Sequence, residues 1–65
     1  MKLRLLGVES GKNGCPALYA TDRDTFVVQG KLVTDKEAIA ALVDVREDEF
    51  YVEIPRQLLR FAAEV

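Results

Sequence analysis

The sequence predicts an α+β domain, with a small, mainly antiparallel sheet of three to five short strands and two short helices packed on one face. Three observations predict this fold class. Short β-forming stretches alternate with turn formers through the first half of the chain. A helix-capping signature precedes apolar residues at helical spacing. A final alternating stretch runs through a proline into a second helical pattern. With 65 residues, of which 49% are hydrophobic, the chain is expected to form one domain over residues 1–65.

The first strand is predicted over residues 3–8, where apolar and basic side chains alternate. Leu6 breaks the alternation, and the neighbouring Gly7 predicts a bulge or bend. Residues 10–14 are dense in turn formers and are expected to form an exposed loop. A second strand is predicted over residues 15–20. Because Pro16 lacks a backbone donor, this strand either begins at Pro16 or lies at an edge of the sheet.

The next stretch predicts a meander of strands. Residues 22–24 are expected to form a turn in which aspartate side chains bond their own backbone. A tight turn around Gly30 should then join two further strands, so that residues 17–20, 25–29 and 31–33 pair in sequence.

Two helices complete the predicted fold. Thr34 and Glu37 fit a capping box, which predicts a helix over residues 35–43 with an apolar stripe of Ile39, Leu42 and Val43. An acidic turn at 47–49 leads to a half-buried strand over 50–54. Pro55 suits the first position of a second helix, and the residues expected on its inner face are Leu58, Phe61, Ala62 and Val65.

The composition argues against catalysis and against cofactor or metal binding. The chain has no histidine and one cysteine, Cys15, which excludes an internal disulfide and a cluster of thiolate or imidazole ligands. Cys15 lacks a histidine to activate it, so a small apolar role explains it better than a nucleophilic one. The spacing from Gly7 to Lys12 is one residue short of a phosphate-binding loop and lacks its Ser or Thr. We therefore expect no enzyme, no cofactor and no metal.

Charge and hydropathy bear on partners and location. A net charge of −2, with basic residues spread along the chain, argues against nucleic acid as a partner. No apolar run approaches 18 residues, and the start of the chain turns polar too quickly for a signal peptide. The sequence therefore predicts a cytoplasmic protein with no membrane partner.

The small size of the chain favours association with a protein partner or with a second copy as a homodimer. Domains this small commonly rely on disulfides, metals or partner subunits, and only the last of these fits the composition. The candidate interface residues are Val27, Tyr51, Arg56 and Arg60. Val27 and Tyr51 are expected on the sheet face away from the helices, where Tyr51 is either incidental or an interface anchor. Arg56 and Arg60, one α-helical turn apart, either meet an acidic partner or a phosphate, or keep the outer face of the helix solvated.

Five stretches carry a resemblance to a known group. They are Cys15-Pro16-Ala17-Leu18-Tyr19, Thr21-Asp22-Arg23, Thr25-Phe26-Val27-Val28-Gln29-Gly30, Val33-Thr34-Asp35 and Val52-Glu53-Ile54-Pro55. Over about residues 15–61 the chain resembles small uncharacterised actinobacterial proteins that are often encoded beside helix-turn-helix regulators. The resemblance implies a role as companion of such a regulator and implies no catalytic residue.

Together these observations predict a non-enzymatic protein-interaction module, accessory to a transcriptional regulator. The alternative is a small-ligand or nucleic-acid-binding domain that uses the basic residues and exposed aromatic side chains. Co-purification with a regulator favours the first, and salt-sensitive binding to DNA or RNA favours the second.

Overall fold

Two separate antiparallel sheets form the β-structure in the computed structural model, which describes residues 1–9 and 15–64. Strands β1 (Leu3–Val8), β2 (Ala17–Thr21) and β3 (Phe26–Gln29) form the first sheet in that order, and β4 (Lys31–Leu32) pairs with β5 (Val52–Glu53) in the second. Helix α1 spans Lys36–Ala41, and a C-terminal 3₁₀ helix spans Arg56–Glu64. The α+β class is confirmed. The loop predicted at 10–14 and the inward position of Val65 lie outside the described residues.

The predicted irregularity in β1 is confirmed as a β-bulge. Leu5 lies opposite Tyr19, but Gly7 lies opposite Leu18, so Leu6 is the extra residue. The bulge places Gly7 on the same sheet face as Leu18, because residues directly opposite one another share a face. A Cβ atom at Gly7 would overlap the phenyl ring of Phe61. Glycine is therefore required here by close packing of the 3₁₀ helix.

The turn predicted at 22–24 is confirmed, but the side chain that holds it is different. The Thr21 hydroxyl accepts hydrogen bonds from the amides of Arg23 at 3.0 Å and Thr25 at 3.3 Å. The same oxygen lies 2.6 Å from the Thr25 hydroxyl. Asp24 contributes through its backbone, at φ 62°, a conformation that Asp tolerates better than most residues. A threonine hydroxyl, and not an aspartate carboxylate, supplies the local bonds.

The predicted meander is wrong at its third strand. Strand β4 does not continue the first sheet but pairs with β5, with Lys31 opposite Glu53 and Leu32 opposite Val52. Gly30 permits this change of sheet. A Cβ atom there would lie 2.7 Å from Ile54 Cγ2 and 3.1 Å from the Glu53 carbonyl oxygen, so a side chain would obstruct the approach of β5.

The N-cap of α1 is Asp35, and the predicted Thr34 cap is wrong by one residue. The Asp35 carboxylate accepts a hydrogen bond from the Ala38 amide at 2.9 Å while its own backbone is extended. Asp ranks above Thr at this position, so a helix that begins one residue later gains the stronger cap.

The predicted packing of both helices on one sheet face is not confirmed, because α1 ends early and buries none of its residues. Leu42 has extended dihedrals, φ −68° and ψ 144°, so the helix stops at Ala41 and the predicted apolar stripe loses Leu42 and Val43. None of the helical residues is buried, and α1 makes only sparse contacts with other elements. Of the two described helices, the 3₁₀ helix is the one that packs closely on β1 and β2.

The stretch after α1 is less regular than the predicted strand over 50–54. The acidic turn is confirmed, with the Glu49 amide bonded to the Arg46 carbonyl and the Arg46 amide to the Glu49 carboxylate. Only Val52 and Glu53 join a strand, and Phe50 is exposed.

The second helix lies where Pro55 predicts it but is a 3₁₀ helix of nine residues, about 18 Å long at 2.0 Å per residue. Side chains three apart therefore align. Leu58 is fully buried and Phe61 is partly buried in one such row, so the inward positions predicted for both are confirmed. Among the described residues the buried hydrophobic core consists of Ala17, Leu18, Ala20 and Leu58.

Replacing Gly7 by alanine tests the contact between the bulge and Phe61. The substitution should lower the free energy of unfolding by about 1–3 kcal/mol, because the new methyl group overlaps the ring. In a Phe61→Ala background the same substitution should cost much less. Chemical denaturation of the four proteins in this double-mutant cycle measures the difference. An equal cost in both backgrounds would show that the ring does not occupy the space beside Gly7.

The Asp35→Ala substitution tests the cap. Loss of about 1 kcal/mol of helix stability should speed amide exchange of Ile39, which bonds the Asp35 carbonyl, by about fivefold. Thr34→Ala is the matched control and should leave that exchange rate unchanged. Because α1 is barely packed, the global unfolding midpoint should move little in either variant. Faster exchange in Thr34→Ala than in Asp35→Ala would restore Thr34 as the cap.

Candidate interaction surfaces

One face of the three-stranded sheet carries an apolar surface that we call the open face. Tyr19 lies opposite both Leu5 and Val27, and Leu3 lies two residues before Leu5, so all four share a face. Leu3 and Leu5 are 50% and 55% exposed, and Tyr19 and Val27 are partly exposed. The Tyr19 hydroxyl donates a 2.7 Å hydrogen bond to Gln29 Oε1. That bond orients the ring and leaves its apolar body available for contact.

The 3₁₀ helix packs on the opposite face over β1 and β2, because Phe61 contacts Gly7 on the Leu18 side of the sheet. Val27 therefore lies on the face away from this helix, where the sequence predicts it. Whether Val27 contacts a partner stays a prediction.

The structure does not bring Tyr51 to that face. Tyr51 precedes β5 in the second sheet, is partly buried, and accepts a 3.2 Å hydrogen bond from the Val33 amide through its carbonyl oxygen. The expectation that Tyr51 and Val27 project from one sheet face is wrong, since β5 pairs with β4 and not with the first sheet.

Arg56 and Arg60 do not share a helix face. A 3₁₀ helix has three residues per turn, so residues four apart diverge by about 120°. Arg60 donates to Glu9 Oε1 at 2.6 Å and to the Gln57 carbonyl oxygen at 2.9 Å, and its guanidinium carbon lies 4.3 Å from the Phe61 ring centroid. Arg60 thus ties the helix to the end of β1. Arg56 is exposed.

The most exposed part of the described chain is a segment that sequence reasoning missed, residues 34–50, which we call the arm. The Val33–Tyr51 hydrogen bond closes its base, and every arm residue except Ile39 is exposed. Val43 and Phe50 are 88% and 85% exposed, and Leu42 and Val45 are also exposed. The sequence signal was present in the charge distribution. The arm holds six acidic and two basic residues, net −4, so the other 48 residues carry +2 of the chain's −2.

The small-ligand and nucleic-acid alternative can be weighed at two adjoining shallow depressions among the described residues, of which one, of about 240 Å³, lies beside Arg4 and Phe26. Its remaining lining residues are Ala20, Thr21, Asp24 and Thr25. Asp24 offsets the positive charge of Arg4, and Asp22 lines the adjoining depression. An anion or a nucleic-acid phosphate would meet a carboxylate at either place, so this geometry does not favour the alternative.

Cys15 is partly buried just ahead of β2. Within residues 1–9 and 15–64, no three Asp, Glu or Cys side chains come together as metal ligands. None of the described helices is both long and apolar enough to cross a membrane.

The chain matches no protein-family model, no curated protein and no solved structure at a significant level.

Proposed function

We propose that the protein is a non-enzymatic protein-interaction module that pairs with a second copy through the open face of its three-stranded sheet. The observation that carries this proposal is the amount of surface that the fold leaves accessible. The chain exposes 5525 Å². A compact folded protein of 7.3 kDa is expected to expose about 4,200 Å².

The accessible surface of the chain therefore exceeds the value expected for a compact protein by about 1,300 Å². An area of this order is what association with a partner covers. A standard interface buries about 800 Å² on each partner. The exposed side chains are of the right kind, since twelve large hydrophobic residues are exposed among the described residues. Scattered exposed apolar residues are ordinary, but a contiguous group on one sheet face is typical of an interface.

The open face is the best candidate for self-association because it is regular and carries no formal charge at its centre. Leu5, Tyr19 and Val27 lie in one cross-strand row. Two copies that place this row against itself form an isologous, closed interface, the commonest arrangement for identical chains. Tyr19 supplies the aromatic side chain that interfaces favour.

The second part of the proposal is a role beside a helix-turn-helix transcriptional regulator in the cytoplasm. Its support is the sequence resemblance described above, over about residues 15–61. A pull-down from the native cell extract tests this part, and we expect it to recover a regulator together with the protein. If the protein is a dimer but no regulator is recovered with it, this part of the proposal is wrong.

The Leu5→Glu substitution tests the open face directly. Wild-type protein at tens of micromolar should sediment as a dimer, and Leu5→Glu should sediment as a monomer, because a buried carboxylate without a partner opposes association. Leu59→Glu is the matched control, since Leu59 is also 55% exposed but lies on the 3₁₀ helix, and it should remain dimeric. Circular dichroism confirms that both variants fold.

A monomeric wild-type protein at every concentration would contradict self-association. Loss of the dimer in Leu59→Glu but not in Leu5→Glu would place the interface on the helix side.

A further inference from the structure

The arm has the properties of a second docking surface, distinct from the open face. Its apolar residues do not contribute to the core: Val43 and Phe50 are almost fully exposed, and α1 buries no residue. The chain reverses at 46–49 through the Arg46–Glu49 hydrogen bonds, so Val45 and Phe50 flank the turn. The arm therefore presents aliphatic and aromatic side chains around a tight turn.

Acidic residues are interspersed with these apolar residues along the arm, and all of them are exposed. The carboxylates within the arm are Asp35, Glu37, Asp44, Glu47, Asp48 and Glu49. Only Lys36 and Arg46 oppose them, and Arg46 already lies 3.4 Å from the Asp44 carboxylate. An exposed segment that carries both apolar side chains and a net charge of −4 attracts a partner that is apolar on one side and positive on the other.

We propose that the arm binds a basic amphipathic segment of another protein, whose apolar face covers Val43 and Phe50 and whose Lys and Arg side chains meet the arm's carboxylates. This inference rests on the proposed function as an interaction module, but it concerns a different surface and names the chemistry of the partner. A basic amphipathic segment complements the arm's charge better than a second copy does, because the nine basic residues of a copy are spread along its chain and only seven of them lie outside the arm.

The probe is a dye-labelled peptide of about 18 residues with leucines along one helical face and lysines on the other, mixed with the full chain and followed by fluorescence anisotropy. A peptide with the same leucines and glutamates in place of lysines is the control. The lysine peptide should bind wild-type protein about tenfold or more tightly than the glutamate peptide, and its affinity should fall as salt rises.

Phe50→Ser and Val43→Ser should each weaken binding of the lysine peptide, by about tenfold for Phe50 because a buried aromatic side chain is lost from the contact. Leu59→Ser, exposed but outside the arm, should bind as wild type does. The paired substitution Glu47→Gln and Asp48→Asn keeps side-chain size and should reduce both the affinity and its salt dependence.

Other outcomes overturn the inference. If the two peptides bind equally well, charge complementarity does not contribute to binding. If Leu59→Ser and Phe50→Ser lose equal affinity for the lysine peptide, the arm is not the binding site. The Leu5→Glu variant separates this inference from the proposed dimer: it should lose the dimer while binding the lysine peptide normally. If Leu5→Glu loses the peptide and the arm variants keep it, the peptide binds the sheet face and the arm does not dock it. If Phe50→Ser instead abolishes self-association, the arm is the contact between copies.

Discussion

The packing of the C-terminal 3₁₀ helix onto the bulged strand β1 is the interaction on which the rest of the structure depends. Gly7 leaves room for the Phe61 ring, and the fully buried Leu58 and Leu18 form the centre of the small core. Arg60 reinforces this contact by bonding Glu9 just past the end of β1. Because this ion pair is exposed, its contribution is modest, and apolar packing dominates the contact.

That single packing contact decides which surfaces remain accessible. One short helix packs on one face of β1 and β2, so Leu3 and Leu5 on the other face stay exposed, although Ala17 on that face is fully buried. The arm, which lies between β4 and β5, buries none of its residues and makes few contacts with the sheet. The radius of gyration is 13.0 Å, against about 10.7 Å for a compact chain of 65 residues. Both proposed surfaces therefore follow from the limited coverage that one 3₁₀ helix provides.

Local sequence patterns predicted the elements better than their assembly. The bulge at Gly7, the turn at 22–24 and the inward side of the last helix were predictable, because glycine, turn formers and apolar spacing act within a few residues. The partner of β4 was not predictable, since it depends on close contact between Gly30 and Ile54, which are far apart in sequence. The helix α1 ends before Leu42, which the apolar spacing had placed inside it. The predicted interface residue Tyr51 lies beside the second sheet, because β5 pairs with β4. The acidic, apolar arm could have been found from its charge, which the whole-chain net charge concealed.

The proposed association covers apolar surface that the isolated chain leaves exposed. The most direct measurement is the thermal unfolding midpoint of the wild-type protein across a wide range of protein concentrations. If folding and association are coupled, the midpoint rises with concentration, because the associated state is favoured by mass action. A midpoint that stays constant across the range, together with a monomeric mass at the highest concentration, would contradict the claim.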